Sequence, residues 1–396
     1  MSFTNSIWTY PWDLHDIGLD AALDRISQVG LNAISLATSY HAGLFLQPGN
    51  PRRRIYFPED GTVYFRSDPT RWSDHEITPK QAAIVDDEGD MLDALVRERE
   101  AGGPAVSYWT VCLHNTRLGM KHPGHVMRTA YGDPLSYALC PSSPAARAYV
   151  TGLVSEISES YQPDRIELES PDFMGFPHGF HHEKDGLSLL PDESFLLGVC
   201  FCDHCRSRAT AAGIPAGAAQ AQVTSILDNT FTRELPESQF PDFPTKGLKS
   251  FAAHSALSAY LAWRSEPVTS LIAEIREATH PDTKVLLIDA EGTWTGGIDL
   301  PNLAPHLDGV LHCVYETEAS RISPLLARTR ALLGPDKTLI AGFQLFHPTV
   351  RDQSDLVNRV VQAAPHADGA NFYNLGLVPS ARLKWIDAAL QKVLSP

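Results

Sequence analysis

Eight short, β-rich apolar runs recur along the chain, at residues 7–10, 33–37, 105–111, 165–169, 284–289, 309–315, 338–343 and 369–374. Continuous apolar runs of this length suit strands covered on both faces. Amphipathic stretches separate them. Leu19, Leu23, Ile26 and Val29 share one helical face, with Gly30 behind them as a C-cap. Helical patterns also cover 145–157, 255–278, 322–333, 354–364 and 381–394. Strands alternating with helices predict an α/β fold, a (β/α)8 TIM barrel. An open doubly wound sheet is the rival, but no Gly-x-Gly-x-x-Gly follows the first run.

The spacing is uneven. More than a hundred residues separate the fourth and fifth runs, so 170–283 reads as an insertion of loops and helices within one catalytic domain, 1–396. In a barrel such an insertion leaves the C-terminal face, where active sites are built. A second excursion, 41–80, follows the second run.

Composition narrows the partners. The chain has 32 Lys+Arg against 47 Asp+Glu, a formal net charge of −15. That argues against nucleic acid and anionic membranes, which want a basic face. With 43% hydrophobic residues a large core is affordable to the fold, yet no window is apolar enough to span a membrane. The N-terminus lacks a basic start and an apolar stretch, so a cytoplasmic location is expected. Oligomeric state is left open.

Six cysteines then change the picture. Cys200-Phe201-Cys202-Asp203-His204-Cys205 places three of them within six residues, and Cys140 stands upstream at a turn before a helix. Disulfides are not expected in a cytosolic chain of this size. Four thiolates close a tetrahedral structural zinc site with no open position. His204 is an alternative to Cys140 as fourth ligand, and a set of buried free thiols is the plainer alternative. Cys112 and Cys313 read as packing residues.

The order of a barrel strand, the turn Cys140-Pro141-Ser142-Ser143-Pro144, a fourth strand ending in Glu169, and then Cys200-x-Cys202-x2-Cys205 resembles the catalytic barrel of family 42 glycoside hydrolases, the β-galactosidases. The likeness is specific over about residues 105–210. It implies a zinc cluster of Cys140, Cys200, Cys202 and Cys205, and an acid/base role for Glu169. The chain departs from the family at Leu168, where the family has Asn, and at 341–345, which lacks the family's nucleophilic Glu. The resemblance therefore implies a divergent barrel hydrolase with a carbohydrate substrate.

Catalytic groups in a barrel sit at strand C-termini. Glu169 is the first candidate, and Asp172 just beyond it is a further acid on the same rim. Glu167 shares its side-chain parity one layer deeper, placed to hold Glu169 or Arg117. A glycosidase needs a second carboxyl across the scissile bond. Glu316 ranks first for that role, Asp289 second and Glu291 third. Trp8, Tyr10, Tyr40, His41, His114, Asn115, Arg117, Glu167, Glu291, Trp294, Tyr315, Gln344, Tyr373 and Asn374 form the expected substrate-binding rim. His178 joins them from the run 176–183, which reads as a substrate loop rather than a metal site. Arg52, Arg53 and Arg54 are expected to bridge loops or subunits; a clamp for a charged substrate is the alternative. Two other functions stay open: a metal-dependent isomerase, epimerase or lyase with ligands from His114, Glu169, Asp289 and His347, and a non-catalytic carbohydrate-binding barrel.

Overall fold

The computed structural model describes residues 3–176 and 183–394. Eight parallel strands close into a barrel: β1 (Thr4–Thr9), β2 (Ala33–Tyr40), β3 (Ala105–Val111), β4 (Arg165–Glu169), β5 (Lys284–Ala290), β6 (Gly309–Cys313), β7 (Thr338–Gln344) and β8 (Gly369–Tyr373). β1 pairs with both β8 and β2, which completes the ring. The expected (β/α)8 architecture is present.

Side-chain alternation sorts each strand into an inner and an outer set. The inner set forms its own core, including Trp8, Ala37, Trp109, Val111, Leu286, Leu311 and Ile340. The outer set packs beneath the helices, as Ile34, Tyr108, Ile166, Leu287, Val310 and Leu339 do. Polar residues inside the barrel also pair between neighbouring strands: Asn371 Nδ2 on β8 donates to Ser6 Oγ on β1 at 2.8 Å. That pairing explains why β1 begins at Thr4, earlier than the apolar pattern of 7–10 indicates. Its polar Asn5 and Ser6 are both buried, Ser6 on the inward parity of Trp8 and Asn5 on the outward parity of Ile7.

Helices of ten residues or more follow seven of the strands. The 255–278 pattern is two helices, Ser255–Trp263 and Ser265–Ala278, broken at Arg264. Only the second belongs to the barrel wall. It is clamped to Pro144–Tyr161 by Arg147, whose guanidinium reaches Glu274 at 2.6 Å and the Pro267 carbonyl at 2.8 Å. After β5 the chain makes only one-turn pieces, among them Thr293–Gly296 and Leu300–Leu303. A hairpin not expected from the pattern, Val126–Arg128 with Pro134–Leu139, lies between β3 and its helix. Arg52 and Arg53 bridge loops, both reaching Asp16 at 3.3 Å. No helix among the described residues is long and apolar enough to cross a membrane.

Candidate active site and cysteine cluster

β4 carries two inward carboxyls in different settings. Glu167 is fully buried, and its Oε2 accepts from Trp8 Nε1 at 2.8 Å and Ser35 Oγ at 2.5 Å. Burial pushes it above the ordinary carboxylate range, against these hydrogen bonds. It ties three strands together and does not pair with Arg117, whose Nε donates instead to the Asp60 carbonyl at 2.6 Å. Glu169, one layer higher, is half-buried and accepts from Trp109 Nε1. Burial raises its carboxyl from 4.5 to about 7, although the Trp109 bond works in the opposite sense.

The backbone fixes where Glu169 stands. Cys112 N donates to the Glu169 carbonyl at 2.8 Å and Leu113 N to the Ser170 carbonyl at 3.1 Å. Ser170 then takes a left-handed φ of 51°, an unusual conformation for a residue with a side chain. The chain turns sharply there, and Asp172 comes back into the same cleft as Glu169. Its carboxyl is raised from 3.8 to about 7 by burial first, with Asp289 and Glu169 adding like-charge repulsion. Gly296 makes the space. A Cβ there would stand 1.9 Å from Asp172 Oδ2, so only glycine lets the β4 and β5 loops meet. Phe173 N donates to the Gly296 carbonyl at 3.0 Å at this junction.

The cleft measures about 500 Å³ and is lined by Glu169, Asp172, Ile288, Asp289, Cys313 and Tyr315, among others. Aromatic rings adjoin it through Tyr315, which lines the cleft, and Trp109, which donates to Glu169. Trp8 and Trp109 lie 5.3 Å apart, Trp8 meets Tyr315 edge-on at 6.4 Å, and Tyr40 meets Trp109 at 5.1 Å. The Tyr10 and Tyr373 hydroxyls are 2.9 Å apart, and burial pushes Tyr373 up to about 12. These are neutral hydroxyls and apolar ring faces around two carboxyls.

Other rim residues are placed differently from expectation. Glu316 is exposed and lies three residues beyond the end of β6, outside the cleft lining. Asp289 reaches the cleft, but on the outward parity of β5, where His312 Nδ1 stands 3.6 Å from its Oδ2. Glu291 is ion-paired to Arg321 at 2.7 Å. Asn115 caps the helix Thr116–Lys121 through Leu118 N at 2.9 Å. His41 stacks between Tyr40 and His114, at 4.2 and 3.9 Å, and burial lowers its pKa. Trp294 packs on Phe195 and Phe243. Gln344 is buried beside Tyr373 in the β7–β8 register, and Asn374 accepts from Gly376 N at 3.1 Å. His178 lies outside the described residues, with His181 and His182. Trp109 is the residue that ranking by strand ends missed, and Asp172, a rim acid by sequence, was not ranked as the partner of Glu169. Trp109 carries a signal in retrospect, since it shares inward parity with Ser107 and Val111 on β3.

Cys140, Cys200, Cys202 and Cys205 converge as a buried set. Cys140 Sγ lies 3.9 Å from Cys200, 3.5 Å from Cys202 and 3.4 Å from Cys205. A tetrahedral ion with metal–sulfur bonds of about 2.3 Å would separate its sulfurs by about 3.8 Å, so the set fits a metal. His204 is not the fourth member; it stacks on His125 at 5.6 Å. The cluster joins the end of the hairpin after β3 to the start of the helix Asp203–Ala211, which Cys202 caps. Phe201 N donates to the Arg128 carbonyl at 2.8 Å beside it. Among the described residues this is the only group of three or more His, Cys, Asp or Glu whose ligand atoms converge on one point. His114, Asp289 and His347 do not assemble with Glu169 in that way, and His347 is exposed.

No family model and no curated protein matches this chain. Among solved structures, α-L-fucosidase isoenzyme 2 from Paenibacillus thiaminolyticus matches 99% of this chain and 49% of its own, at 13% identity and a TM-score of 0.55. The fold is a (β/α)8 barrel. This chain spans about half the length of that fucosidase. The endo-β-1,4-mannanase from Thermotoga petrophila matches all of this chain and 78% of its own, at 12% identity and a TM-score of 0.47. A chitinase from Rhizomucor miehei matches 97% and 99%, at 10% identity and 0.46. Of these three, the fucosidase alone bears on the fold.

Proposed function

We propose that the chain is a glycoside hydrolase with Glu169 as its proton donor. One observation carries this: two carboxyls, Glu169 and Asp172, are both raised to about 7 in one cleft at the C-terminal mouth of the barrel. An acid poised near neutrality protonates a leaving oxygen as the C1–O bond breaks. Glu169 gives its proton to the glycosidic oxygen, and the first sugar leaves as an alcohol. Asp172, once ionised, supports the developing oxocarbenium ion or takes a proton from the attacking water. Glu169 then recovers a proton from solvent. Asp172 replaces Glu316 as first choice for the second carboxyl, and Asp289 supports it from the adjoining wall.

The substrate class is a carbohydrate, held by Trp8, Trp109, Tyr315 and Tyr373 through ring faces and hydroxyls. The fucosidase that shares the barrel is in keeping with this reading. Kinship with family 42 rests on the Cys-Pro-x-x-Pro turn, the cysteine loop and Glu169. The metal of the cysteine set is zinc in this reading, as four thiolates prefer. It is structural, with every position filled by the protein.

The test is a panel of chromogenic aryl glycosides, pyranosides and furanosides of both anomers, run with the wild type, Glu169→Gln and Asp172→Asn. Cleavage of one glycoside by the wild type, lost by orders of magnitude in Glu169→Gln, is the expected result. Cleavage that survives both substitutions would sink the assignment.

A further inference from the structure

Three arginines are buried among the described residues: Arg147, Arg264 and Arg359. Two of them have carboxylate partners. Arg147 meets Glu274 at 2.6 Å, and Arg359 meets Asp355 at 3.2 Å. Arg264 is 3% exposed and enters no ion pair within 4 Å among the described residues. Its charge is therefore left to act over a longer range, through a medium that screens it less than water does. The groups it acts on include Tyr260, Cys200, Cys205 and Asp172, and Asp172 is the carboxyl among them.

Arg264 stands at the break between Ser255–Trp263 and Ser265–Ala278. From there it holds two loops of the barrel mouth. Its Nη1 donates to the Thr295 carbonyl on the β5 loop at 2.8 Å. Its Cζ lies 4.6 Å from the centre of the Phe173 ring on the β4 loop. Gly297, at a φ of 91°, lets the chain pass the Arg264 carbonyl, to which a Cβ there would come within 2.7 Å. Phe173 and Thr295 flank the contact between Asp172 and Gly296, and all four line the cleft. One buried side chain thus braces the junction at which Asp172 enters the mouth.

Charge gives Arg264 a second hold on Asp172. Glu169 on β4, Asp289 on β5 and Cys112 beyond β3 also face that carboxyl. Burial keeps the Cys112 thiol neutral. Glu169 and Asp289 oppose ionisation of Asp172, and Arg264 favours it. Glu169 differs, because only the Trp109 N–H acts there against burial. The two carboxyls of the mouth are thus set apart by one cation.

We propose that Arg264 is the positioning residue for Asp172, bracing the β4 and β5 loops through Phe173 and Thr295 and turning its charge on that carboxyl. It favours ionised Asp172 and leaves Glu169 as the carboxyl that keeps its proton. The proposal rests on the hydrolase reading for its effect on turnover, and not for the coupling of the two groups.

The full chain is isotope-labelled at its aspartate carboxyls, and Asp172 is assigned by NMR through Asp172→Asn. Its titration is then followed in the wild type, Arg264→Met and Arg264→Lys. Arg264→Met should move the Asp172 midpoint up by about one unit or more, and Arg264→Lys, which keeps the charge, should return most of that shift. If Arg264→Met does not fold, the wild type carries the test. The Arg264 Nε resonance should then inflect with Asp172 and lose that inflection in Asp172→Asn. A midpoint unmoved by Arg264→Met, an equal shift in Arg264→Lys, or an Arg264 resonance indifferent to Asp172 would overturn the proposal. On a cleaved aryl glycoside the acidic limb of kcat/KM should rise with the midpoint in Arg264→Met, with KM changed less than about twofold. A midpoint that moves as expected while no glycoside is cleaved would sustain the coupling and count against the hydrolase reading alone.

Discussion

The barrel mouth and the cysteine cluster are both built from side chains that converge on a point, yet by opposite means. The cluster draws three of four groups from six consecutive residues, so local chain geometry does most of the convergence. The mouth draws Trp8, Trp109, Glu169, Tyr315 and Tyr373 from five segments of the barrel, and only closure of the ring brings them together. The first holds the insertion to the hairpin. The second holds two carboxyls in an environment that disfavours their charge. The comparison teaches that a stabilising site and a reactive one differ in what the fold does to their ionisable groups. A metal would stabilise the thiolates, whereas nothing in the mouth offsets ionisation of Glu169 and Asp172 fully.

Exchanging the chemistry of the mouth gives the largest expected effect. Glu169→Gln should lower kcat on a cleaved aryl glycoside by about 10³-fold, as loss of a general acid does, while circular dichroism stays native. The cluster should respond in the reverse pattern. Cys202→Ser should cost on the order of 4 kcal/mol in chemical denaturation and abolish the one equivalent of bound zinc measured by elemental analysis. Turnover per folded molecule should stay within about twofold; a proportionate loss of kcat would end the division of roles.

Trp109→Phe sharpens the mouth itself. It removes the N–H that favours ionised Glu169, so the basic limb of kcat/KM should move to higher pH. Activity should fall about tenfold, equivalent to roughly 1.4 kcal/mol. A limb that moves down would contradict the hydrogen bond's role. Stability supplies a subtler test. Glu169 has an ordinary value of 4.5 and a folded value of about 7. Between those pH values the folded chain holds a proton that the unfolded chain has released. The contribution of neutral Glu169 is complete below about 4.5 and is lost as pH rises through 7. Glu169→Gln should therefore raise Tm relative to the wild type more at pH 8.5 than at pH 4.5. Glu316→Gln should change kcat less than twofold, since Glu316 is exposed and outside the cleft.

The same contrast explains what the sequence made legible. The eight runs announced the barrel because strands buried on both faces read as apolar whatever the tertiary detail. The cysteine set was legible because its spacing is local. Glu169 was legible as the last residue of a strand. Asp172 was legible as a rim acid but not as the partner of Glu169, because its approach depends on a left-handed Ser170 and on the missing Cβ of Gly296 in a distant loop. Glu316 ranks first by sequence because the fourth and sixth strands lie across the rim from each other and the sixth run reads as strand to Tyr315, whereas strand pairing ends at Cys313. The absent helix after β5 also left no mark. The stretch 291–308 is long enough to hold one, and its Gly and Pro residues instead divide it into single turns.

That missing helix has a consequence for how the molecule opens. A closed ring of strands resists local unfolding as a unit, and each outer helix shields the amides beneath it. Between β5 and β6 the shield is one turn long. The native ring should therefore have a seam, where amide protons of 286–290 exchange with solvent sooner than those of the diametrically opposite β1 and β2. The loop Asp289 to Thr293, which lines the barrel-mouth cleft, runs on from that seam, so the same opening event would expose that cleft.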